Sequence, residues 1–368
     1  MILELTRADL LGTRVRAQQL DRPAGPLADT AVLDLGVQDT GPDGGRWALA
    51  LRGVDVPEPD DDVLATVWTI RGAPHLYRRA DLPGVAAATR PFSEADAGKR
   101  VYDAARPLRA AGIPVEAALD VLAAQMRSIA ARPTVKGEVS RQLTAVLPAP
   151  YVRECVPCKA VHPWEQPFRL AALRAGLELR PGTSPPVLQP IPGFTVAGSV
   201  PERLDVVRGY LRLFGPATPQ QVAGYLDAPV ADVTARWPQD VVEVTVDGER
   251  RWAPAADVDR LAAGPARTTR LLGPFDLYLQ TRDRSLLVSD PARATTLWPT
   301  LGRPGAVLVD GEVAGTWRPR KAGRRVDLQI DLWQSVSRAV RTAVGEQAER
   351  LAAHRQLTLG AVDGLGPA

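Results

Sequence analysis

Three consecutive polar side chains, an amide, a carboxylate and a hydroxyl, stand at Gln38, Asp39 and Thr40. An amide and a carboxylate held together can position a water molecule, and the carboxylate can stabilise a cationic reaction centre. On a regular helix Gln38 and Asp39 would point about 100° apart, so the chain must change direction to bring them together. Residues 40–45 contain Gly, Pro and Asp and are predicted to form such a turn. The alternative is that Asp39 and Thr40 only end a helix and begin the turn, because both types are common there.

A second group of reactive side chains is Cys155, Cys158 and His162. The Cys-x-x-Cys spacing is half of a zinc site, and His162 could be a third ligand. A fourth ligand would have to come by folding from His75, His354, Glu154 or Glu165. The alternatives are two small residues packed beside a strand, or a redox pair, which the absence of a thioredoxin-like βαβ pattern disfavours.

Basic residues concentrate in two predicted hairpins. Residues 317–325 contain five basic residues and no acidic residue that would neutralise them. Such a run favours contact with phosphates over a merely solvated hairpin tip. The residues predicted to contact DNA are Arg318, Arg320, Lys321, Arg324 and Arg325, together with Arg250 and Arg251 beside Trp252.

The elements that must position these groups follow a repeating order of helices and a hairpin. Helical spacing is predicted for residues 5–20, 29–37 and 46–52, and strands for 67–71 and 73–77. The order recurs with helices at residues 93–112, 114–132 and 135–146 and an extended segment at 151–163. It recurs most clearly with helices at 203–214, from 218, and at 229–237, before a hairpin that turns at Asp247-Gly248. Helices followed by a hairpin are the outline of a winged helix.

From about residue 270 the period changes to two, which predicts strands at 277–280, 306–309, 312–317 and 326–332, followed by a helix at 335–355. The predicted fold class is therefore α+β: three tandem winged-helix units and a small C-terminal β-barrel with a terminal helix. The predicted domains are residues 1–88, 89–180, 203–265 and 266–368, with a Pro-rich linker at 181–202.

Composition sets broad limits on the class of protein. The 368 residues include only two cysteines and carry a net charge of +3, with a pI near 9.0. These values exclude a disulfide framework and are mild evidence for a polyanionic partner. No apolar run approaches the roughly 20 residues that span a bilayer, and the first 20 residues do not read as a signal peptide. We therefore expect a cytoplasmic protein without a membrane partner.

The order of motifs resembles the AlkZ/YcaQ family of bacterial DNA glycosylases. Its members carry Gln-x-Gln or Gln-x-Asp followed by Arg-Trp-Ala-Leu, as in residues 37–49 here. Residues 70–76, 272–279 and 309–317 resemble further blocks of the family. Counting back from Arg46-Trp47 puts Gln38 at the first Gln and Thr40 at the second position. Aligning on Asp39-Thr40 instead puts Val37 at the Gln, so one expected side chain is missing either way.

The resemblance implies an enzyme that binds damaged double-stranded DNA and excises bulky or cross-linked alkylated purines without a cofactor. Three winged helices in one chain favour a monomer over a dimeric repressor. It implies catalytic roles for Gln38, Asp39 and Thr40, and a place near them for His75, whose alternative role is a hydrogen-bonded structural residue on a strand. Two other functions stay open. A non-catalytic winged-helix DNA-binding protein would lack the catalytic pairing, and a metal-binding interaction module would need Cys155, Cys158 and His162 to converge.

Overall fold

A computed structural model describes residues 3–41, 44–56 and 62–365. Its helices are α1 Arg7–Ala17, α2 Gly44–Ala50, α3 Leu82–Ala88, α4 Glu94–Arg100, α5 Ala105–Ala110, α6 Val115–Ile129, α7 Lys136–Val146, α8 Glu165–Arg174, α9 Val206–Phe214, α10 Pro219–Leu226, α11 Val230–Thr234, α12 Val258–Leu261, α13 Arg284–Leu287, α14 Pro291–Leu297 and α15 Arg338–His354. Its strands are β1 Leu3–Leu5, β2 Val37–Gln38, β3 Leu64–Trp68, β4 Pro74–Arg78, β5 Thr134–Val135, β6 Val152–Cys155, β7 Ala160–Pro163, β8 Leu177–Leu179, β9 Val187–Pro190, β10 Val241–Val246, β11 Glu249–Pro254, β12 Thr269–Leu272, β13 Gly305–Val309, β14 Glu312–Ala322, β15 Arg325–Leu332 and β16 Thr358–Asp363.

The helix predicted at residues 29–37 is wrong. This segment forms a short 3-10 turn, Ala31–Asp34, and then strand β2. Gly36 separates the two with a φ of +91°, and a side chain there would collide with the ring of Tyr77. The positive φ lets the chain change direction and enter the strand. Few residues other than glycine adopt such a φ. Part of the predicted turn at 40–45, residues 42 and 43, lies outside the described residues.

One six-stranded sheet joins what were predicted as two separate units. Its strand order is β2-β4-β3-β8-β9-β5, so strands from residues 37–78 pair with strands from 134–190. The interpretation of residues 181–202 as a linker is corrected, because β9 lies within that range and pairs with β8 and β5. The prolines that suggested a linker lie beside β9 or at its last residue. None of them interrupts the middle of a strand.

Residues 203–262 form the predicted order of helices and hairpin. Thr218 caps α10 through a reciprocal hydrogen-bond pair with Gln221, and β10 and β11 turn at Asp247-Gly248. Both features follow from local chemistry, a Thr-Pro helix start and an Asp-Gly turn. The helix predicted at 229–237 is shorter, since α11 covers only Val230–Thr234. Strand β1 adds to β10 in parallel and ties the start of the described chain to this unit.

The C-terminal region is a half-barrel sheet rather than the predicted small β-barrel. Its five strands run in the order β12-β13-β14-β15-β16, with β12 and β16 as the edges. The strand predicted at 277–280 is wrong, because Leu277–Gln280 is a 3-10 turn capped by Asp276. The basic segment predicted as a loop continues both strands of the β14–β15 hairpin as far as Ala322 and Arg325. The predicted terminal helix is present as α15, and the parallel strand β16 follows it.

Two hydrophobic cores cross the predicted domain boundaries. One packs Leu49 and Val67 against Leu211 and Phe214 of the third unit. The other packs Trp47 against the C-terminal sheet, and the Trp47 indole donates a hydrogen bond to the Leu271 carbonyl at 2.8 Å. Shared cores hold segments distant in sequence in a fixed relation, which a precisely built site needs. Among the described helices, none is long and apolar enough to cross a membrane.

Candidate functional site

The backbone of the Gln38–Asp39–Thr40 segment lies at the edge of the six-stranded sheet. Gln38 pairs with His75 across β2 and β4, and the Asp39 amide donates to the Pro74 carbonyl at 2.8 Å. The segment is therefore the end of a strand, not the end of a helix. Successive side chains on a strand point to opposite faces, and the chain leaves the strand at Asp39.

The Gln38 amide is held at both ends. Its Nε2 donates to the Thr40 hydroxyl at 2.9 Å, and its Oε1 accepts from Nε2 of Gln280 at 2.7 Å. Gln280 also donates to the Phe275 carbonyl and accepts from the Arg71 guanidinium at 2.5 Å. These partners fix which end of the amide is the oxygen, so Gln38 presents a defined remaining N–H.

The Asp39 carboxylate is oriented by two donors. Its Oδ1 accepts from the backbone N–H of Gly45 at 3.0 Å, in the first turn of α2, and its Oδ2 accepts from the Thr66 hydroxyl at 3.3 Å. A helix N-terminus favours a negative charge beside it. The carboxylate is half-buried and is not turned out into bulk solvent.

All three motif residues line one open cleft of about 990 Å³. Residues 179–184 and 186 also line the cleft, and all but the first two of them belong to the segment predicted as a linker. Cationic side chains from distant parts of the chain share the lining. They are Arg71, Lys136, Arg169 and Arg180.

A cluster of arginines extends from Arg71. Burial, together with the neighbouring guanidinium groups of Arg71 and Arg284, lowers the pKa of Arg282 to about 10. Burial also lowers the pKa values of Arg284 and Arg303, and Arg71 contributes to both shifts. Among the described residues no carboxylate forms an ion pair with Arg71, Arg282 or Arg284, and Nε of both Arg282 and Arg284 is buried without a partner. Close like charges without counter-ions favour the binding of an anion.

His75 is close to the motif but buried. Its Nδ1 lies 2.9 Å from the Ala73 carbonyl oxygen and 3.0 Å from the Thr69 hydroxyl. Burial lowers the pKa of His75 to about 3, so the ring is neutral near pH 7. These contacts fit the structural alternative, in which the imidazole holds the 69–75 turn and does not titrate in the neutral range.

The predicted DNA-contacting residues divide into two groups. Arg318, Arg320, Lys321 and Arg324 are exposed on the β14–β15 hairpin, where Arg325 also bonds Asp327 at 2.9 Å. Arg250 is exposed but is paired with Glu243 at 2.8 Å. The prediction for Arg251 is corrected, because its side chain is buried and forms a 2.5 Å ion pair with Asp283. Alternation along β11 turns it into the core while its neighbour Arg250 faces solvent.

The zinc candidates come together in the β6–β7 hairpin. The ligand atoms of Cys155, Cys158 and His162 all lie within 4.8 Å of one another. A hydrogen bond from the Cys158 backbone and the neighbouring side chain of His162 lower the pKa of the Cys155 thiol to about 7. Among the described residues His75 and His354 are not part of this group.

Sequence reasoning missed Gln280 and the cationic residues of the cleft and its margin. Gln280 is the last residue of the segment 277–280 that was predicted as a strand, and nothing but its polar side chain distinguished it. Arg71 lies within residues 70–76, which resemble a block of the family. No sequence motif distinguished Lys136, Arg169 or Arg180. Their convergence depends on pairing within the six-stranded sheet.

An anchored amide, carboxylate and hydroxyl line one cleft together with four cationic side chains. The profile of the family described as "DNA glycosylase AlkZ-like" matches residues 32–354. The chain belongs to this family and is therefore a DNA-binding hydrolase of DNA repair. The structure is similar to that of Streptomyces sahachiroi DNA glycosylase AlkZ, with a TM-score of 0.72 and 21% identity over 98% of this chain and 100% of that chain. That likeness shows a shared fold. No curated protein matches the sequence.

Proposed function

We propose that this glycosylase excises bulky or cross-linked alkylated purines from double-stranded DNA, acting as a monomer without a redox or nucleotide cofactor. Gln38, Asp39 and Thr40 hold the hydrolytic water. The observation that carries the proposal is that these three side chains line the same cleft as Arg71, Lys136, Arg169 and Arg180. A cleft of that charge suits a DNA strand and brings its sugar past an oriented carboxylate.

The chemistry asks little of the protein. A purine alkylated at N7 or N3 carries a positive charge, so it leaves as a neutral base without a general acid. Water then adds to the anomeric carbon of the oxocarbenium-like sugar, and one proton is released. Asp39 stabilises the sugar cation and accepts that proton. Thr40 accepts a hydrogen bond from Gln38, which leaves its own O–H to donate elsewhere in the cleft.

The arginine cluster supports a phosphate contact beside this centre. Arg71 both lines the cleft and bonds Gln280, which in turn bonds Gln38. A phosphate placed against Arg71, Arg282 and Arg284 would neutralise like charges that otherwise repel one another. The same contact would fix the register of the sugar relative to Asp39.

We further propose that residues 1–88, 89–180 and 203–265 act as three winged-helix units that hold the duplex. The order of helices followed by a hairpin in residues 203–265 is the strongest support for this assignment. The exposed β14–β15 hairpin adds non-specific phosphate contacts.

The test is base release from a defined duplex. Strands containing N7-methylguanine, or a nitrogen-mustard cross-link, are incubated with the full chain under single-turnover conditions, and abasic sites are scored after alkali. We expect cleavage that depends on enzyme and is lost in Asp39→Asn. A protein that binds the damaged duplex tightly and never releases a base would be a non-catalytic winged-helix protein instead.

A further inference from the structure

The β6–β7 hairpin carries a group of ligands that the glycosylase reaction does not use. Cys155 ends β6, Cys158 lies in the turn, and His162 lies on β7 opposite Arg153. Their ligand atoms are all within 4.8 Å of one another. Two thiolates and an imidazole bound to zinc at about 2.3 and 2.0 Å lie somewhat under 4 Å apart, so a small closure of the turn completes the geometry.

One ring nitrogen of His162 contacts the backbone. Its Nδ1 lies 2.8 Å from the Pro163 carbonyl oxygen, which can only accept a hydrogen bond. The proton is therefore on Nδ1, and Nε2 keeps a lone pair for a metal. Histidines that bind metals commonly donate their other N–H to a backbone carbonyl in this way.

The hairpin has little else to hold its tip together. It is an isolated pair of strands, and pairs of this kind are marginally stable by themselves. At the tip Val156 is 84% exposed, and Lys159 has a φ of +50°. Val161, on β7, is also exposed. A cross-link between the two strands would stabilise the tip, where these apolar side chains are exposed.

We propose that Cys155, Cys158 and His162 bind one Zn²⁺ ion, with water in the fourth position. Thiolate and imidazole ligands favour zinc over harder cations such as Mg²⁺ or Ca²⁺. The nearby carboxylate of Glu165 forms ion pairs with Lys136 at 2.9 Å and with Arg169 at 2.6 Å, so we do not include it among the ligands. The ion fastens the hairpin where it enters α8, the helix that carries Arg169 to the cleft.

The direct test uses metal alone. The full chain is reduced and stripped with a chelator, and Co²⁺ is titrated while the visible spectrum is recorded. We expect thiolate-to-cobalt charge transfer and tetrahedral ligand-field bands that saturate at one equivalent and disappear when Zn²⁺ is added. Zinc should also raise the Tm of the wild-type chain.

Variants locate the site. Cys158→Ser and His162→Gln should weaken Co²⁺ binding by about 100-fold or more and abolish the rise in Tm. Cys158 is exposed, so its variant should fold, which far-UV circular dichroism checks. His354→Gln, which changes a histidine outside the group, should bind Co²⁺ like the wild type.

Two results would overturn the proposal. One is a reduced wild-type chain with no cobalt spectrum, and the other is a Cys158→Ser variant that keeps it. If Cys155 and Cys158 instead form a disulfide and the reduced chain binds no metal, the pair is redox-active. None of these outcomes depends on base excision, so failure of the zinc site and failure of the proposed substrate can be told apart.

Discussion

Nε2 of Gln280 donates a hydrogen bond to Oε1 of Gln38 at 2.7 Å, although 242 positions separate the two residues in sequence. Gln280 also accepts from Arg71, so it connects the motif proposed to hold water, residues 38–40, to the arginine cluster. The bond makes Gln280 a positioning residue for Gln38.

Gln280→Ala should slow base release without weakening DNA binding. A lost hydrogen bond of about 1 kcal/mol corresponds to a roughly fivefold lower single-turnover rate. The rate and the duplex Kd are measured separately, because a positioning role predicts a change in the first only. Gln142→Ala, whose partner is Glu138 on the same helix, serves as the control and should leave both unchanged.

Asp39→Asn should abolish most of the activity while preserving the fold. An Asn oxygen can still accept from the Gly45 N–H, but it neither carries the charge nor accepts the proton. We expect a fall of about 100-fold to 10,000-fold in the single-turnover rate, with little change in Tm. Asp103→Asn, an exposed carboxylate, is the matched control. Full activity in the Asp39 variant would place the catalytic group elsewhere.

Arg282→Met should weaken DNA binding without destabilising the protein. The substitution removes a half-buried cation beside Arg71 and Arg284, and relief of their repulsion offsets the lost contacts. We expect an unfolding free energy equal to or above that of the wild type, with a salt slope of DNA binding reduced by about one unit. A variant that is less stable and binds DNA normally would contradict an anion site there.

Changing Arg320, Lys321 and Arg324 together to Gln should weaken DNA binding and flatten its dependence on salt. Each lost phosphate contact should lower the log–log slope by about 0.9, and the Tm should hardly move because the side chains are exposed.

Arg251→Gln should instead lower the stability of the fold, because Arg251 is buried. The substitution leaves the buried Asp283 with one partner fewer and should cost about 3 kcal/mol of stability.

His75 should make the folded state less stable in mild acid. The unfolded imidazole titrates near 6.5, whereas the pKa of buried His75 is about 3. Its contribution is therefore complete above about pH 6.5 and is lost as pH falls toward 3, by up to about 1.4 kcal/mol per unit. Urea unfolding of the wild type and of His75→Gln should show a steeper decline for the wild type between about pH 7 and pH 5. Equal slopes would mean that His75 is protonated in the folded chain.

Local chemistry alone was enough to predict several elements. Ser93 accepts from the Asp96 N–H and caps α4, Thr218 caps α10, and Asp247-Gly248 turns the β10–β11 hairpin. Each depends on interactions within a few residues, so it is legible from the sequence. The motif 38–40 was located by its resemblance to a block of the AlkZ/YcaQ family, and its three side chains line the cleft.

Only the tertiary structure decided which distant groups meet. The periodicity of a segment shows that a face is buried but not what covers it, so neither the shared sheet of residues 37–190 nor strand β16 was predicted. Arg250 and Arg251 read alike in sequence, yet pairing of β11 exposes one and buries the other against Asp283. The contact of Gln38 with Gln280 has the same origin, because it exists only when the N-terminal sheet and the C-terminal region pack together.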